Sequence, residues 1–569
     1  MQIDTLITGV RVFNSYEKTF KWANVAIKDQ HFLYIGEKDA SFFQANELID
    51  GQGKYMIPGL IDIHLHIEST MVTPATFSNA LIQNGVTTIV PEPHEMANVF
   101  GVEGVKQMIR ASEECEVDMF YSIPSSVPAT SMETTGGAIE IADIDELMAT
   151  ENIICLGEIM NYVDVISESD NKTKQLLQHV RQTYPDLIIE GHVPKLVDTD
   201  LHQMIFAGVD SDHTHQTIPG MEARIEAGMF IEIQEKSMTP EVIDYLSTQD
   251  VSEHFCFITD DVMADSLIER GHLNQIVRKA IQMGMKAEDA IYASTTTPAK
   301  RMRMHDRGVI APGKVADFCF LTSLEDFKLD AIYKNGKQAE QKAVTTDIEK
   351  QFPAAFYESV NLAPLGPDDF LINVDKADGL YTARVMKVQD GSTFTAEEHQ
   401  QVEVNDGLLQ WQKSGYQQIA TFERYGKGGT RAHGLITGDI LKHGAIATTY
   451  SHDNHNLLVV GANAEDMQHA ANEVIKMNGG ICVVHDGQIK AHVPLPVGGI
   501  LTEEPLEDLA KKVKQLCDSL RELGYKHYNP IMSFSTLSLP VSPALKITDQ
   551  GLIDVNAGKV VPLLIEDEE

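Results

Sequence analysis

Gly59-Leu-Ile-Asp62-Ile-His64-Leu-His66-Ile-Glu68 is the stretch on which the fold turns. Its apolar residues alternate with a period of two, as in a β-strand. Asp62, His64 and His66 therefore share one face, and Ile61, Ile63, Leu65 and Ile67 the other. Two imidazoles on adjacent same-face positions can chelate one metal ion. At the carboxyl end of the first strand of a barrel they would lie where such folds keep their chemistry. A solitary His-x-His is more often a surface or packed pair, so its meaning depends on the later strands.

Working outward, strand patterns recur at 60–67, 86–91, 117–123, 153–159, 187–191, 208–212, 228–233 and 255–259, with helical patterns such as 102–114, 173–182 and 267–284 between them. Eight strands alternating with helices over residues 58–306 predict an α/β fold, a (β/α)8 barrel. Upstream, Thr5–Phe13, Trp22–Ile27 and His31–Gly36 read as short strands that stop at a turn, Ile57-Pro58-Gly59. Downstream, Ala316–Leu321, Asp330–Tyr333 and Gly336–Ala339 resemble them. Residues 1–57 plus 307–355 are accordingly expected to form one small split β domain into which the barrel is inserted. Residues 360–569 change character: strand-like to about 460, then helical at 463–477 and 502–522. They predict a carboxyl-terminal α/β domain that closes toward the barrel mouth.

The polar residues that end the barrel strands form a set. His64 and His66 follow strand one, Glu158 strand four, His192 strand five, His213 strand six and Asp260 strand eight. Any one of them reads most simply as a capped loop residue; six together point to a metal centre. Imidazoles mixed with carboxylates suit hard or borderline divalent ions. One metal would take His64, His66 and Asp260, a second His192 and His213, with Glu158 bridging. Two close metals lower the pKa of a shared water, and a free edge of Asp260 would carry its proton to a leaving group. Periodicity does not choose between Asp260 and its neighbour Asp261.

This constellation resembles the amidohydrolase superfamily and, more closely, the bacterial adenine deaminases. The resemblance runs through Pro58–Ser69, Pro93-His-Glu-Met-Ala-Asn-Val99, Gly157-Glu-Ile-Met-Asn161, Thr259-Asp-Asp261 and Ile310–Asp317. In the carboxyl domain it includes Ser451-His-Asp-Asn-His-Asn456, Leu539-Pro540 and Leu545–Gly551, so it spans essentially the whole chain. It implies hydrolytic deamination of adenine to hypoxanthine and ammonia, with two divalent ions of manganese or iron, zinc being an option. Glu158 would be the bridging ligand, Asp260 the proton shuttle and His213 a further catalytic group. His94, His452 and His455 become additional active-site or metal-proximal candidates. His94 lies in Pro91-Glu-Pro-His94-Glu95, which reads as a rigid turn, and His452 and His455 lie in a loop. One departure stands out: the family usually carries an acidic residue after the strand-six histidine, where this chain has His213-Thr214-His215. That loop should border the substrate, which keeps open an amide, a cyclic amide or a different aminopurine as the substrate of another metal-dependent amidohydrolase. His215 reads as a solvated residue.

Composition removes other classes. The 569 residues carry a formal net charge of -38, which argues against nucleic acid and against anionic membrane surfaces. Six scattered cysteines form no Cys-x-x-Cys pair. No apolar run reaches membrane-spanning length, so a cytoplasmic enzyme is expected, a homo-oligomer whose partner is a small purine. Gly308–Lys314 lacks the Ser or Thr of a phosphate loop, and Gly51-Gln-Gly53 lacks the third glycine of a dinucleotide fingerprint. His66-Ile-Glu68 has no Pro-Cys-x-x-Cys to complete a cytidine-deaminase signature. A noncatalytic scaffold on a decayed barrel is opposed by the retention of all six positions.

Overall fold

The computed structural model describes residues 1–340 and 350–565. Residues 341–349 of the expected split β domain and 566–569 of the carboxyl domain lie outside the described residues. Five amino-terminal strands and three later ones share one eight-stranded sheet. The two parts join where Phe318–Ser323 pairs antiparallel with Tyr55–Pro58. Val10, Val12, Phe32, Met56, Phe318 and Tyr333 fill its core, with the Phe318 and Tyr333 rings stacked at 4.5 Å. Two local expectations change. Ile57 and Pro58 belong to a strand instead of a turn, and Gln44–Asp50 is an additional strand beside Gln2–Asn14.

Between the two parts, parallel strands alternate with helices. They fall into three three-stranded sheets: Leu60–Leu65, Val86–Pro91 and Asp118–Met119; Tyr121–Ile123, Ile153–Ile159 and Ile188–Gly191; Ser211–Asp212, Phe230–Ile233 and Phe255–Phe257. Among the described residues no sheet closes on itself. The expected strand 117–123 is divided at Phe120, whose N–H still donates to the Ile89 carbonyl at 3.0 Å. Asp210 N–H reaches the Ile189 carbonyl at 3.2 Å, linking the second and third sheets. The expected helix 267–284 is two helices, Ala264–Arg270 and Leu273–Gln282. Gly271 separates them at φ 101°, where a side chain would be strained and would meet the amides of Asn274 and Asn84.

The carboxyl-terminal part is built on a nine-stranded sheet that includes Gly379–Val388, Leu457–Gly461 and Gly480–His485. Period-two alternation gives it two apolar faces. Val459, Cys482 and Val484 pack on one side with Met467, Ala470 and Val474 of the helix Ala464–Lys476. Leu458, Val460, Ile481 and Val483 face the other way, into a core continuous with the parallel strands. Leu509, Val513, Leu516 and Leu520 of the helix Leu506–Glu522 enter that same core. This helix packs both on the strand Gln488–Pro494 of its own sheet and against the helix Ala264–Arg270, and so joins the carboxyl part to the parallel-strand part. No helix among the described residues is long and apolar enough to cross a membrane.

Candidate metal centre

Each of the six predicted residues stands at or just past the carboxyl end of a parallel strand, and all but His192 are buried. Glu158 is their centre. Its Oε1 lies 3.6 Å from His66 Nε2, while its Oε2 lies 3.0 Å from His192 Nδ1 and 3.2 Å from His213 Nε2. The two oxygens of one carboxylate thus face two different sets of imidazoles. His66 Nε2 is also 3.6 Å from Asp260 Oδ1, and the His64 and His213 rings stack at 3.9 Å. His64, His66 and Glu158 offer ligand atoms within 4.8 Å of one another, and so do Glu158, His192 and His213. These adjacent clusters, with one carboxylate in common, are consistent with a binuclear metal site. His64 Nε2 is buried without a hydrogen-bond partner, a lone-pair-bearing group of the kind a divalent ion satisfies.

Local structure holds the donors. His66 Nδ1 is 3.2 Å from the Glu92 carbonyl, which fixes the ring and leaves Nε2 for the centre. The His213 loop is anchored by Asp212, which accepts from Arg224 Nε at 2.6 Å, Gln216 Nε2 at 2.7 Å and Thr214 Oγ1 at 3.0 Å. Thr214, the departure noted in the sequence, is thus a buried anchor of the loop, and His215 is exposed. Asp260 and Asp261 differ in surroundings: Asp260 faces His66 and Lys236 Nζ, while Asp261 Oδ1 accepts from Ser69 Oγ at 2.5 Å. Both remain within ligand reach of His66.

The charges are strongly coupled. Burial disfavours a carboxylate at Glu158, but His213 and His192 outweigh it and hold the acid well below its ordinary range. Burial likewise opposes a charged His66, yet Asp261, Glu158 and Asp260 raise it to about 10. At Asp260 burial is outweighed by Lys236, His213 and His66, which lower its pKa.

Glu92 is a residue that sequence reading quoted but did not weigh. It is buried, and its Oε2 accepts the Glu158 backbone N–H at 2.8 Å. Burial, reinforced by the Glu158 charge, pushes its pKa well above the ordinary value. Its only sequence signal was an acid at the end of strand two, between prolines.

His94 opens a helix, His94–Phe100, instead of lying in a turn. Its ring meets that of His66 at 4.5 Å. His452 and His455 belong to a buried connection, Thr449–Asn456, between the strands Ala445–Thr448 and Leu457–Gly461. Both converge on Glu95, which was also missed: His452 Nε2 lies 2.8 Å from Oε1 and His455 Nε2 3.3 Å from Oε2. Arg424 donates Nε–H to the His455 carbonyl, and Tyr425 Oη–H to the Asn454 carbonyl at 2.6 Å. Asn456 Nδ2 donates to the Thr134 carbonyl at 2.8 Å. The carboxyl part is thereby stitched to the strand-end loops.

Two family models match the chain: "Amidohydrolase family" over residues 55–339 and "Adenine deaminase C-terminal domain" over residues 392–559. The chain is 64% identical to adenine deaminase 2 of Shouchella clausii, covering 100% of both chains. It is 46% identical to an adenine deaminase of Clostridium perfringens strain 13, over 99% of each. It is also 41% identical to adenine deaminase 2 of Oenococcus oeni, over 100% of each.

Proposed function

Since the chain belongs to the adenine deaminase family of the amidohydrolase superfamily, we propose that its reaction is the hydrolytic deamination of adenine to hypoxanthine and ammonia. The observation that carries the reading is Glu158, whose Oε1 faces His66 at 3.6 Å and whose Oε2 faces His192 at 3.0 Å. In this reading His64, His66 and Asp260 would hold one divalent ion and His192 and His213 a second, with Glu158 available to both. Manganese or iron suits a set of four imidazoles and two carboxylates, and zinc also takes such ligands. Bound there, the ions supply water activation at neutral pH.

The chain's own groups do the rest. Asp260, kept ionised by its neighbours, accepts a proton from the attacking water on its free edge and returns it to the departing amine. A C6–O bond forms and the C6–N bond breaks. One water proton leaves on ammonia, and the other stays on the purine ring. His213, fixed through Asp212, orients the attacking side. The Thr449–Asn456 connection, packed over the strand ends, excludes bulk water from the pocket.

The same reading takes the three parallel sheets as parts of one (β/α)8 barrel. The Asp260 N–H to His64 carbonyl bond, 3.1 Å, supports it by tying the last strand to the first. It divides the chain into residues 1–57 plus 307–355, 58–306, and 360–569. A net charge of -38 disfavours nucleic acid as a partner; a small purine substrate, a homo-oligomeric state and a cytoplasmic location are further parts of this reading. The test is ammonia release from adenine by manganese-loaded protein, with guanine, adenosine and simple amides in parallel. Turnover of adenine alone is expected; silence on adenine with both ions bound would end the assignment.

A further inference from the structure

A second cluster of ligand-type side chains lies beside the six. Glu95 comes from the helix after the second parallel strand, His452 and His455 from the carboxyl-terminal connection. All three are at least nine-tenths buried, at 0%, 6% and 0% exposure. His452 Nε2 approaches Glu95 Oε1 to 2.8 Å and His455 Nε2 approaches Oε2 to 3.3 Å. His94 Nε2 stands 3.9 Å from Glu95 Oε1 and 3.8 Å from Asp453 Oδ1.

The cluster is poorly satisfied by hydrogen bonds. Among the described residues the two Glu95 oxygens have only these imidazole contacts, while both oxygens of Asp453 and Nδ1 of His455 are buried without a hydrogen-bond partner. A buried polar atom left so is costly, the more so when it is charged. Here the Glu95 carboxylate, the Asp453 carboxylate and the His455 imidazole converge from two distant parts of the chain. His455 is moreover held at φ 51°, an unusual backbone conformation for a non-glycine residue. Its carbonyl is pinned by Arg424 and its ring turned toward Glu95. His452 Nδ1 is engaged by Ser535 Oγ, which leaves Nε2 toward Glu95.

We propose that Glu95, His452 and His455 form a third divalent-cation site beside the pair centred on Glu158, with Asp453 at its edge and His94, which also reaches Glu92 and Glu158, between the two. Three imidazoles and two carboxylates are borderline-metal ligands, suited to manganese, iron or zinc. Because Glu95 belongs to the parallel-strand part and the other two residues to the carboxyl part, the ion clamps one onto the other beside the pocket. The site does not depend on which substrate the Glu158 centre acts on.

The experiment is metal counting on full-length protein, stripped of metal, reloaded with manganese and desalted. Three equivalents per chain are expected for the parent and two for Glu95→Gln and His455→Asn. His192→Asn, in the Glu158 centre, should lose metal while keeping the third ion. A parent that holds two, both lost through substitutions around Glu158, would overturn the proposal and leave Glu95 and His452 as a buried ion pair. A parent that holds none would instead undercut the two-ion reading as well. Anomalous scattering at the manganese edge from parent crystals avoids any variant that fails to fold. A peak in direct contact with the Glu95 carboxylate and both imidazoles is expected, and a peak only at Glu158 refutes the site.

Discussion

The backbone N–H of Asp260 donates to the carbonyl of His64 at 3.1 Å. Two side chains assigned to one ion are thus registered by main chain, and Leu65 and Asp260 make a parallel bridge across the same seam. Asp260 stands at φ 60°, where the chain turns sharply out of the strand end and presents the carboxylate to His66. Asp260→Asn retains this geometry but removes the proton acceptor. Its kcat is expected to fall by about 10²–10⁴, the range of a lost general acid–base. Metal content measured on the same sample separates a lost proton carrier from a lost ligand. A variant within tenfold of the parent would shift the proton-transfer role to Asp261.

Glu158 is positioned from behind by Glu92. A Cβ built on Gly157 falls 2.2 Å from Glu92 Oε2, the atom that accepts the Glu158 N–H. Gly157→Ala must therefore push Glu92 aside and release the main chain that carries Glu158. Losing such outer support typically lowers metal affinity about 10–100-fold. Competition with a chelator of known manganese affinity measures this, and an affinity equal to the parent's would show that Glu92 does not position the centre.

The alternation at 59–68 and the recurring strand patterns made the strands legible, because successive side chains of a strand point to opposite faces. Both faces are buried here, so the alternation marks which face carries the polar groups and not which face meets solvent. The six strand-end residues were legible for the same reason: each polar side chain ends an apolar run. Glu92 and Glu95 were not. Both sit in Pro91-Glu-Pro-His94-Glu95, and an acid in a proline-flanked segment looks like a solvated turn until the carboxyl part covers it. The meeting of His452 and His455 with Glu95 is a contact between remote parts of the chain, which no local pattern encodes. The break at Gly271 was missed because the apolar spacing continues across it from Leu267 to Leu273 and Ile276.

Arg424 is fully buried and, among the described residues, forms no salt bridge with a carboxylate. Its guanidinium donates to the Ser359 carbonyl and Oγ, each at 2.8 Å, to the Gly498 carbonyl at 2.7 Å, and to the His455 carbonyl. Only a fork of planar donors spans these acceptors, so lysine cannot replace it. Arg424→Lys and Arg424→Met should each destabilise the protein by about 3 kcal/mol or more, since buried carbonyls lose their partners. Urea unfolding is the measurement; a loss under about 1 kcal/mol in both would mean that water reaches the carbonyls.

Lys546 gives a pH dependence with a definite sign. Its Nζ is buried and donates to the Thr393 carbonyl at 2.8 Å and the Thr536 carbonyl at 2.9 Å. A neutral amine has two N–H groups and these two acceptors satisfy both, whereas an ammonium carries a third N–H and a charge into the interior. Burial accordingly lowers its pKa to about 7 from 10.5. Below pH 7 the folded and unfolded chains both hold the proton, and folding bears the whole penalty. Between pH 7 and 10.5 the folded chain has released the proton while the unfolded chain keeps it, so the penalty is relieved as pH rises, by roughly 1 kcal/mol per pH unit. Lys546→Met removes the titration but not the two carbonyls, so its difference from the parent isolates this group. Urea unfolding of both proteins at pH 6, 7.5 and 9 should show the parent gaining stability relative to the variant across the upper interval and little across the lower. A difference that stays flat from pH 6 to 9 would mean that the ammonium is accommodated in the folded state, with its third N–H partnered and its charge offset.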